Sequence, residues 1–251
     1  MPTQHGPGST RTRGGVDGSA AGPPAFDDDP FEPIAAIKWA FELYRADIAL
    51  VALPIVAIET LVLLAAFIIP KFIGSILRSV VPANALAVAN MIQYSISLLL
   101  GVVAMAYFAA SLYPYLLNLA RGRPVELTEA FRPARNFPSV LKLVGLLAVA
   151  TALGLFLCAA PGIAVIIVGT TAVPALIDRD LDLRTALSES VGHAKAHFLQ
   201  LAIFGLLCIA MTLIGAAFCA VGAVLVSVPI VMLAQIYVYL CLEGESPVHA
   251  G

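Results

Sequence analysis

One carboxyl group stands alone in a long apolar run. Glu59 is the only charged residue between Ile48 and Ile69. If this run crosses a membrane, a carboxyl at that depth is costly unless it is paired, protonated or faces a cavity. Two interpretations stay open. Glu59 is either protonated and hydrogen-bonded to a hydroxyl of a neighbouring helix, or it binds a proton or a substrate, which makes it the candidate intramembrane polar site.

A second group of residues is cationic and follows the second apolar run. The group consists of Arg121, Arg123, Arg132 and Arg135. Guanidinium groups beside a membrane bind anionic lipid headgroups, which makes these four side chains the candidate headgroup contacts. The general excess of basic residues on the cytoplasmic side of membrane proteins explains them equally well.

Two further clusters could suggest a metal ion. Asp178, Asp180 and Asp182 alternate at a predicted helix start, a pattern that favours a helix cap and a favourable dipole interaction over a cation site. His193 and His197 are four residues apart and could share a helix face. They lack the HExxH pattern of zinc enzymes, so we interpret them as a solvated pair and expect no bound metal.

Catalytic motifs are absent from the sequence. Ser188, Ser190 and His193 lie close together in the sequence, but a catalytic triad is a spatial arrangement, and no acid or glycine-rich elbow frames these residues as in known hydrolases. There is also no phosphate-binding GxxxxGK loop. The four cysteines form no CxxC pair. We therefore expect no enzymatic activity and no cofactor. Nucleic acid is not expected as a partner either, because no basic stripe is interleaved with aromatic residues.

The composition identifies the elements that must position these residues. The chain has 251 residues, of which 60% are hydrophobic and 12% charged, and its mean hydropathy is +0.95. So few charges cannot cover the surface of a soluble globule. The chain is therefore predicted to be an integral membrane protein, whose spans must be helical to satisfy their backbone groups.

Long uncharged runs predict six spans of about 20 residues each. Pro161-Gly162 is predicted to break the third run, and residues 220–222 the last, because Pro and Gly interrupt helices. The predicted six-span domain covers residues 31–242, with spans at 48–69, 92–119, 143–160, 163–177, 198–219 and 223–242.

Three polar segments, before the first, third and fifth spans, resemble one another. Each is predicted to form an amphipathic helix at the membrane interface, and Trp39 and Tyr44 in the first segment suit the headgroup level. The predicted fold class is thus an all-α integral membrane protein. Its six transmembrane helices form three helical hairpins, each preceded by an interfacial amphipathic helix.

The basic residues predict the orientation. With six spans, 12 of the 14 Lys and Arg residues fall on one side, and only Lys71 and Arg78 fall on the other. This asymmetry places both termini in the cytoplasm. Residues 1–30 are rich in Gly, Pro and Ser and are predicted to be a disordered tail, or a docking tail whose Asp27, Asp28 and Asp29 face a basic partner. Residues 243–251 are predicted to be a short cytoplasmic tail.

Several phrases of the sequence are similar to a known family. Three segments resemble the membrane domain of bacterial glycerophosphoryl diester phosphodiesterases and its free-standing six-span relatives. These segments are "LARGRPVELTEAFR", "APGIAVIIVGTTAVPALIDRDLDLRTALSES" and "HAKAHF". The resemblance covers about residues 31–242 and implies a bacterial plasma-membrane location. The catalytic domain of those enzymes has no counterpart here, so their hydrolase activity is not expected.

Two functional hypotheses remain. The first is a non-catalytic scaffold or accessory protein that binds membrane lipids, or a protein partner, through the N-terminal tail or the interfacial helices. The second is a small transporter or lipid-handling protein that uses Glu59 and the proline-bearing spans. The scarcity of charge within the spans favours the first.

Overall fold

The computed structural model of the protein describes residues 31–157, 159–217 and 223–248. All the regular elements of these residues are helical. The α-helices are α1 (Pro33–Ala46), α2 (Ile48–Leu63), α3 (Ile69–Val80), α4 (Leu86–Ala120), α5 (Phe137–Leu157), α6 (Ala159–Asp178), α7 (Leu183–Ala196), α8 (Phe198–Ala217) and α9 (Val228–Leu242). Residues Leu64–Ile68 and Ala223–Ser227 form π-helical turns that lead into α3 and α9.

Six helices within the described residues are long and apolar enough to cross a membrane. They are Ile48–Val80, Leu86–Ala120, Phe137–Leu157, Ala160–Asp178, Phe198–Ala217 and Leu225–Leu242. The predicted all-helical class and the number of long apolar helices are therefore confirmed. The first two helices, with 33 and 35 residues, are much longer than the predicted spans 48–69 and 92–119.

The extra length of the first two helices comes from a polar contact between them. Arg78 donates to the side-chain oxygens of Asn90 at 3.1 Å and Gln93 at 2.8 Å. Gly74 lies directly against the Gln93 side chain, because the absence of a Cβ lets the two helices approach closely. Polar residues that we expected to end the spans instead pair with each other and extend the helical pair.

The α2–α3 and α4 helices run antiparallel in one continuous register. The hydroxyl of Tyr115 donates to the Leu50 carbonyl at 2.8 Å, and an ideal Cβ on Gly101 would lie 3.9 Å from the Cβ of Ala66. Pro54 has no N–H to donate within α2, so the Leu50 carbonyl is available to Tyr115. Ala66 and Gly101 therefore lie at one level, and Tyr115 and Leu50 mark a second contact nearer the basic end.

The break between α5 and α6 differs from the prediction. Helix α5 ends at Leu157 and α6 begins at Ala159, so Pro161 lies in the first turn of α6, where its missing N–H costs nothing. Gly162 packs against α5, and an ideal Cβ on Gly154 would lie 2.6 Å from its nitrogen. The predicted turn at Pro161-Gly162 was therefore wrong in position, because both residues belong to α6. Gly162 instead allows α6 to approach α5 closely.

The three predicted interfacial helices have different structures. The second segment contains only a short 3-10 helix, Leu127–Phe131, since Pro133 follows two residues after its end. In α1, Trp39 and Tyr44 are buried: Trp39 donates to the Val248 carbonyl at 2.8 Å and Tyr44 to the Leu225 carbonyl at 2.9 Å. The polar atoms of both aromatics therefore bond to backbone acceptors within the protein, and their position at the headgroup level stays a prediction.

Some predictions concern residues that the structure does not describe. The tail 1–30 with its aspartate run and the turn at 220–222 lie outside the described residues. Of the predicted C-terminal tail, residues 243–248 are described, and they fold back onto the helix ends.

The core lies at the end of the bundle where α4, α6 and α9 finish, which we call the basic end. Its largest fully buried side chains include Tyr115, Leu116, Leu117, Leu176 and Tyr239. Helix α4 supplies three of these and is enclosed along its C-terminal half. The opposite end, where α5 and α8 finish and α4 begins, is called the far end.

Candidate functional site

A glycine positions Arg121 at the basic end. Gly122 adopts a left-handed φ of 67°, which favours glycine, and its N–H donates to the Leu119 carbonyl at 3.0 Å. The N–H of Arg123 donates to the Asn118 carbonyl at 2.9 Å. This pair of bonds is a Schellman cap, and it fixes Arg121 as the last residue before the chain leaves the helix axis.

The same type of cap ends α9. Gly244 has a φ of 76°; its N–H donates to the Cys241 carbonyl at 3.1 Å, and that of Glu245 donates to the Leu240 carbonyl at 2.8 Å. The chain therefore turns sharply after α9. The turn directs Glu245 back toward the end of α4.

Arg121 joins three helix ends through its guanidinium group. It donates to both carboxylate oxygens of Asp178, at 2.6 and 2.7 Å, and to both of Glu245, at 2.8 and 3.1 Å. Tyr239 donates to Asp178 at 3.0 Å. The side chains of Arg121 and Asp178 are only 17% and 15% exposed. Bidentate, partly buried arginine pairs of this kind are the strong ones.

A second arginine extends the cluster. Arg179 forms ion pairs with Glu189 of α7 and, at 3.2 Å, with Glu243 after α9. We call the seven side chains Arg121, Asp178, Arg179, Glu189, Tyr239, Glu243 and Glu245 the ion-pair cluster. The cluster links the ends of α4, α6 and α9 with α7.

Residues 243–248 complete the basic end, and we call them the C-terminal strap. The Val248 N–H donates to the Ala120 carbonyl at 3.0 Å, and a Val248 methyl would lie 3.0 Å from an ideal Cβ on Gly122. The ring of Trp39, which donates to the Val248 carbonyl, lies 5.3 Å from that of Tyr237 in α9. The strap therefore covers the end of α4 and touches α1.

These contacts change the interpretation of the four arginines. The hydrogen bonds to Asp178 and Glu245 raise the pKa of Arg121, and both faces of its guanidinium fork are occupied by carboxylates. Arg123, Arg132 and Arg135 are exposed. Among the candidate headgroup contacts, these three present their charge to the surroundings, whereas Arg121 holds helix ends together.

Helix α7 begins as the alternating aspartates predicted. Asp182 caps it by accepting from the N–H groups of Arg184 at 3.1 Å and Thr185 at 3.4 Å, and its hydrogen bond from the Thr185 hydroxyl lowers its pKa. Asp180 adopts a left-handed φ of 51°. Asp178 has a different role from the one predicted, since it belongs to the ion-pair cluster.

Two faces of α7 have different chemistry. Ala186, Ser190 and Ala194 are buried at four-residue spacing against the rest of the protein. The opposite face of α7 is a shallow, widely open surface, which we call the groove. It is lined by Arg184, Leu187, Ser188, Val191, Gly192 and Lys195. The groove thus has an apolar floor with a cation at each end.

His193 lies on α7 between these faces. Burial lowers its pKa, and the neighbouring His197 and Arg179 act in the same direction. Among the described residues, no group of three or more His, Cys, Asp or Glu side chains is placed to hold a metal ion.

Glu59 lies at the packed face of α2, away from the ion-pair cluster. It shares that face with Ile55 and Val62, three to four residues away, and both are buried. Its Oε2 atom is buried and has no hydrogen-bond partner among the described residues. Both interpretations of Glu59, a hydrogen-bonded protonated carboxyl and a binding residue, stay predictions.

Sequence reasoning did not find the cluster around Arg121. Its members are far apart in the sequence, and only the fold brings Asp178, Tyr239 and Glu245 to Arg121. A local signal was present: Gly122 and Gly244 each follow a long apolar run directly, which is typical of a C-terminal helix cap. Reading both glycines as caps places Arg121 and Glu245 at helix ends.

Comparisons with known proteins yield relatives without an assigned role. An uncharacterised protein of Mycobacterium bovis and uncharacterised proteins of two Mycobacterium tuberculosis strains are each 31% identical to this chain over 160 residues. The match covers 62% of this chain and 48% of each relative, so the chain spans about half the length of the curated relatives it matches. No family model and no solved structure matches the sequence.

Proposed function

We propose that the protein is a six-span protein of the bacterial plasma membrane, with both termini in the cytoplasm, that serves as a non-catalytic scaffold or accessory protein. In this proposal the long helices pair as three hairpins, which is the fold implied by the resemblance to the phosphodiesterase membrane domain. The basic end faces the cytoplasm, because most Lys and Arg residues lie on that side.

One observation supports the scaffold proposal: the helix ends at the basic end are held together, and one face beside them is open. The ion-pair cluster and the strap join the helix ends, whereas the groove of α7 remains accessible, with Arg184 and Lys195 at its ends. An apolar floor between two cations suits an acidic, amphipathic protein segment. The exposed Arg123, Arg132 and Arg135 supply contacts for anionic lipid headgroups beside it.

The test is purification of the tagged protein with its native lipids, followed by mass analysis of every stoichiometric companion. We expect a protein that co-purifies with the wild type and is lost from the double variant Arg184→Glu, Lys195→Glu. Lys71→Glu changes the same charge at the far end and should retain the companion. Deletion of residues 1–30 tests whether the tail contributes. A companion that is unaffected by the groove variant, or no companion at all, would contradict the scaffold proposal.

A second candidate function has one observation in its favour. The buried, unpartnered Oε2 of Glu59 fits a small transporter or lipid-handling protein with a polar path between its spans. In proteoliposomes with an imposed potential, such a protein would carry protons, measured with an enclosed pH dye. Glu59→Gln should abolish this flux while the protein remains folded, and flux equal in both proteins would exclude Glu59 from the path.

A further inference from the structure

Two buried polar atoms, one on α2 and one on α4, have no hydrogen-bond partner among the described residues. They are Glu59 Oε2 and Ser111 Oγ. Ser111 is 0% exposed. An unsatisfied buried polar group destabilises the folded protein, and each such group in a native protein calls for an explanation, such as an ion or water.

The helix register brings these two residues to neighbouring levels. Ala66 faces Gly101 across the seam between the α2–α3 and α4 helices. Glu59 lies seven residues before Ala66, across the start of the π-helical turn Leu64–Ile68, and it shares the packed face of α2 with Ile55 and Val62. Ser111 lies four residues before Tyr115, which reaches α2 through its hydroxyl. Counted from the Ala66–Gly101 contact, Glu59 lies seven residues and Ser111 ten residues toward the basic end.

The direction of the two side chains reduces the difference in level between Glu59 and Ser111. In an α-helix the Cα–Cβ bonds tilt toward the N-terminus. Because α2 and α4 run antiparallel, Glu59 tilts toward the level of Ser111, and Ser111 tilts toward the level of Glu59. The carboxyl and the hydroxyl therefore converge on the same part of the seam.

The protein supplies no positive charge to this part of the seam. Neither α2 nor α4 contains a Lys or Arg residue. On the elements packed against α2, the charged side chains Lys38, Glu42, Arg45 and Glu129 are exposed. The tyrosines Tyr44, Tyr107, Tyr113, Tyr115 and Tyr239 already donate to other acceptors. Tyr237 and Cys241 lie near the end of α9. The charge of an ionised Glu59 must therefore be balanced by a cation from outside the chain.

We propose that Glu59 and Ser111 form a binding site for a monovalent cation, H⁺ or Na⁺, between α2 and α4. The carboxylate supplies the charge, and the hydroxyl supplies a neutral oxygen ligand. The site deepens the second candidate function, on which it rests for any role in transport. Cation binding is measured separately from transport. If the protein binds the cation but carries no flux, the transporter function is rejected and the binding site remains.

The test on the wild-type protein uses dicyclohexylcarbodiimide, an apolar reagent that modifies protonated carboxyl groups. The purified protein in detergent is labelled, and mass spectrometry follows the peptide that contains Glu59. If the site binds Na⁺, replacing N-methylglucamine chloride by NaCl slows the labelling about tenfold at constant pH, which corresponds to about 1.4 kcal/mol, while KCl does not. If the site binds only H⁺, the rate falls about tenfold per pH unit once the carboxyl ionises, whatever the salt.

Labelling that responds neither to Na⁺ nor to pH between about 5 and 9 would overturn the site, and so would a Glu59 that the reagent never modifies. The role of Ser111 is tested by Ser111→Ala, which removes an unpaired hydroxyl and should not impair folding. We expect cation protection to weaken about tenfold. Ser97→Ala is the matched control on α4, because the Ser97 hydroxyl already donates to the Gln93 carbonyl at 3.0 Å. Equal protection in both variants would remove Ser111 from the site.

Discussion

The two ends of the helical bundle are built in different ways. At the basic end, side chains such as Leu116 and Tyr239 are fully buried, and hydrogen bonds join residues more than 50 positions apart. At the far end, Phe156 is 90% exposed, and Leu157, Phe72 and Val80 are also exposed. Polar contacts at the far end, such as that of Arg78 with Gln93, lie between neighbouring helices.

This difference shows which part of the fold the protein stabilises by itself. The basic end has a protein core, an ion-pair cluster and capped helices. The far end places apolar side chains outside and its few polar side chains between helices, an arrangement that suits a surrounding of lipid tails. Mutations should therefore act strongly at the basic end and weakly at the far end, provided the detergent or lipid covers the apolar surface.

The largest effect is expected from Asp178→Ala. The substitution leaves Tyr239 without an acceptor and Arg121 with only the more exposed Glu245. We expect the free energy of unfolding to fall by about 3 kcal/mol, because removing one partner of a partly buried pair strands the other. SDS titration in mixed micelles measures this loss. Asp178→Asn keeps an oxygen acceptor for Tyr239 but removes the charge, and it should lose clearly less stability; equal losses would show that the charge of Asp178, and not an acceptor at that position, holds the cluster.

A matched pair of leucines compares a buried position at the basic end with an exposed position halfway along α8. Leu116→Ala at the basic end removes a side chain that is 0% exposed, whereas Leu206 in α8 is 68% exposed. We expect a loss of about 3 kcal/mol for Leu116→Ala and less than about 0.5 kcal/mol for Leu206→Ala in the same SDS titration. Similar losses for the two variants would mean that α8 packs against something beyond this chain.

Deletion of residues 244–251 tests the strap. It removes the Glu245 carboxylate from Arg121 and the Val248 carbonyl from Trp39, so we expect a loss of about 1–2 kcal/mol, the value of one or two hydrogen bonds to polar or charged groups. Trp39 is the single tryptophan and is nearly buried. Its fluorescence emission should therefore shift to longer wavelength on deletion. Unchanged emission would show that the strap does not cover α1 in solution.

The smallest effect concerns pH. Because burial lowers the pKa of His193 below its ordinary value of 6.5, the unfolded chain takes up a proton before the folded protein does. Stability should therefore decrease as the pH falls below about 6.5. The difference in Tm between pH 7.5 and pH 5.5 measures this, and His193→Gln should reduce it. The buried position of His193 would be contradicted if acidification raised the Tm of the wild type but not that of His193→Gln.

Hydropathy alone predicts the helices but not their connections. The six apolar runs were found because a bilayer demands long apolar segments, and the cap at Asp182 was found because capping is local. The ends of the first two helices were missed, since Arg78, Asn90 and Gln93 satisfy one another across the seam. That pairing depends on the register between two helices, which residue types in one run do not specify.

The candidate site was predictable only in part for the same reason. Glu59 stands out in the sequence because a charge in an apolar run is rare. Ser111 does not, since a serine in a long helix is ordinary until the fold buries its hydroxyl without a partner among the described residues. The cluster around Arg121 also needed the fold, because Asp178 and Glu245 lie 57 and 124 positions away in the sequence.

The most direct test of the membrane arrangement is cysteine accessibility at the two ends. Single cysteines replace the exposed Ser188, in the groove at the basic end, and the exposed Ser79, at the far end, in a chain whose native cysteines are changed to alanine. A membrane-impermeant maleimide is applied to intact spheroplasts and to inverted membrane vesicles. We expect Ser79→Cys to be labelled only in spheroplasts and Ser188→Cys only in inverted vesicles. Labelling of both positions from the same side would contradict a bundle that spans the membrane with its basic end in the cytoplasm.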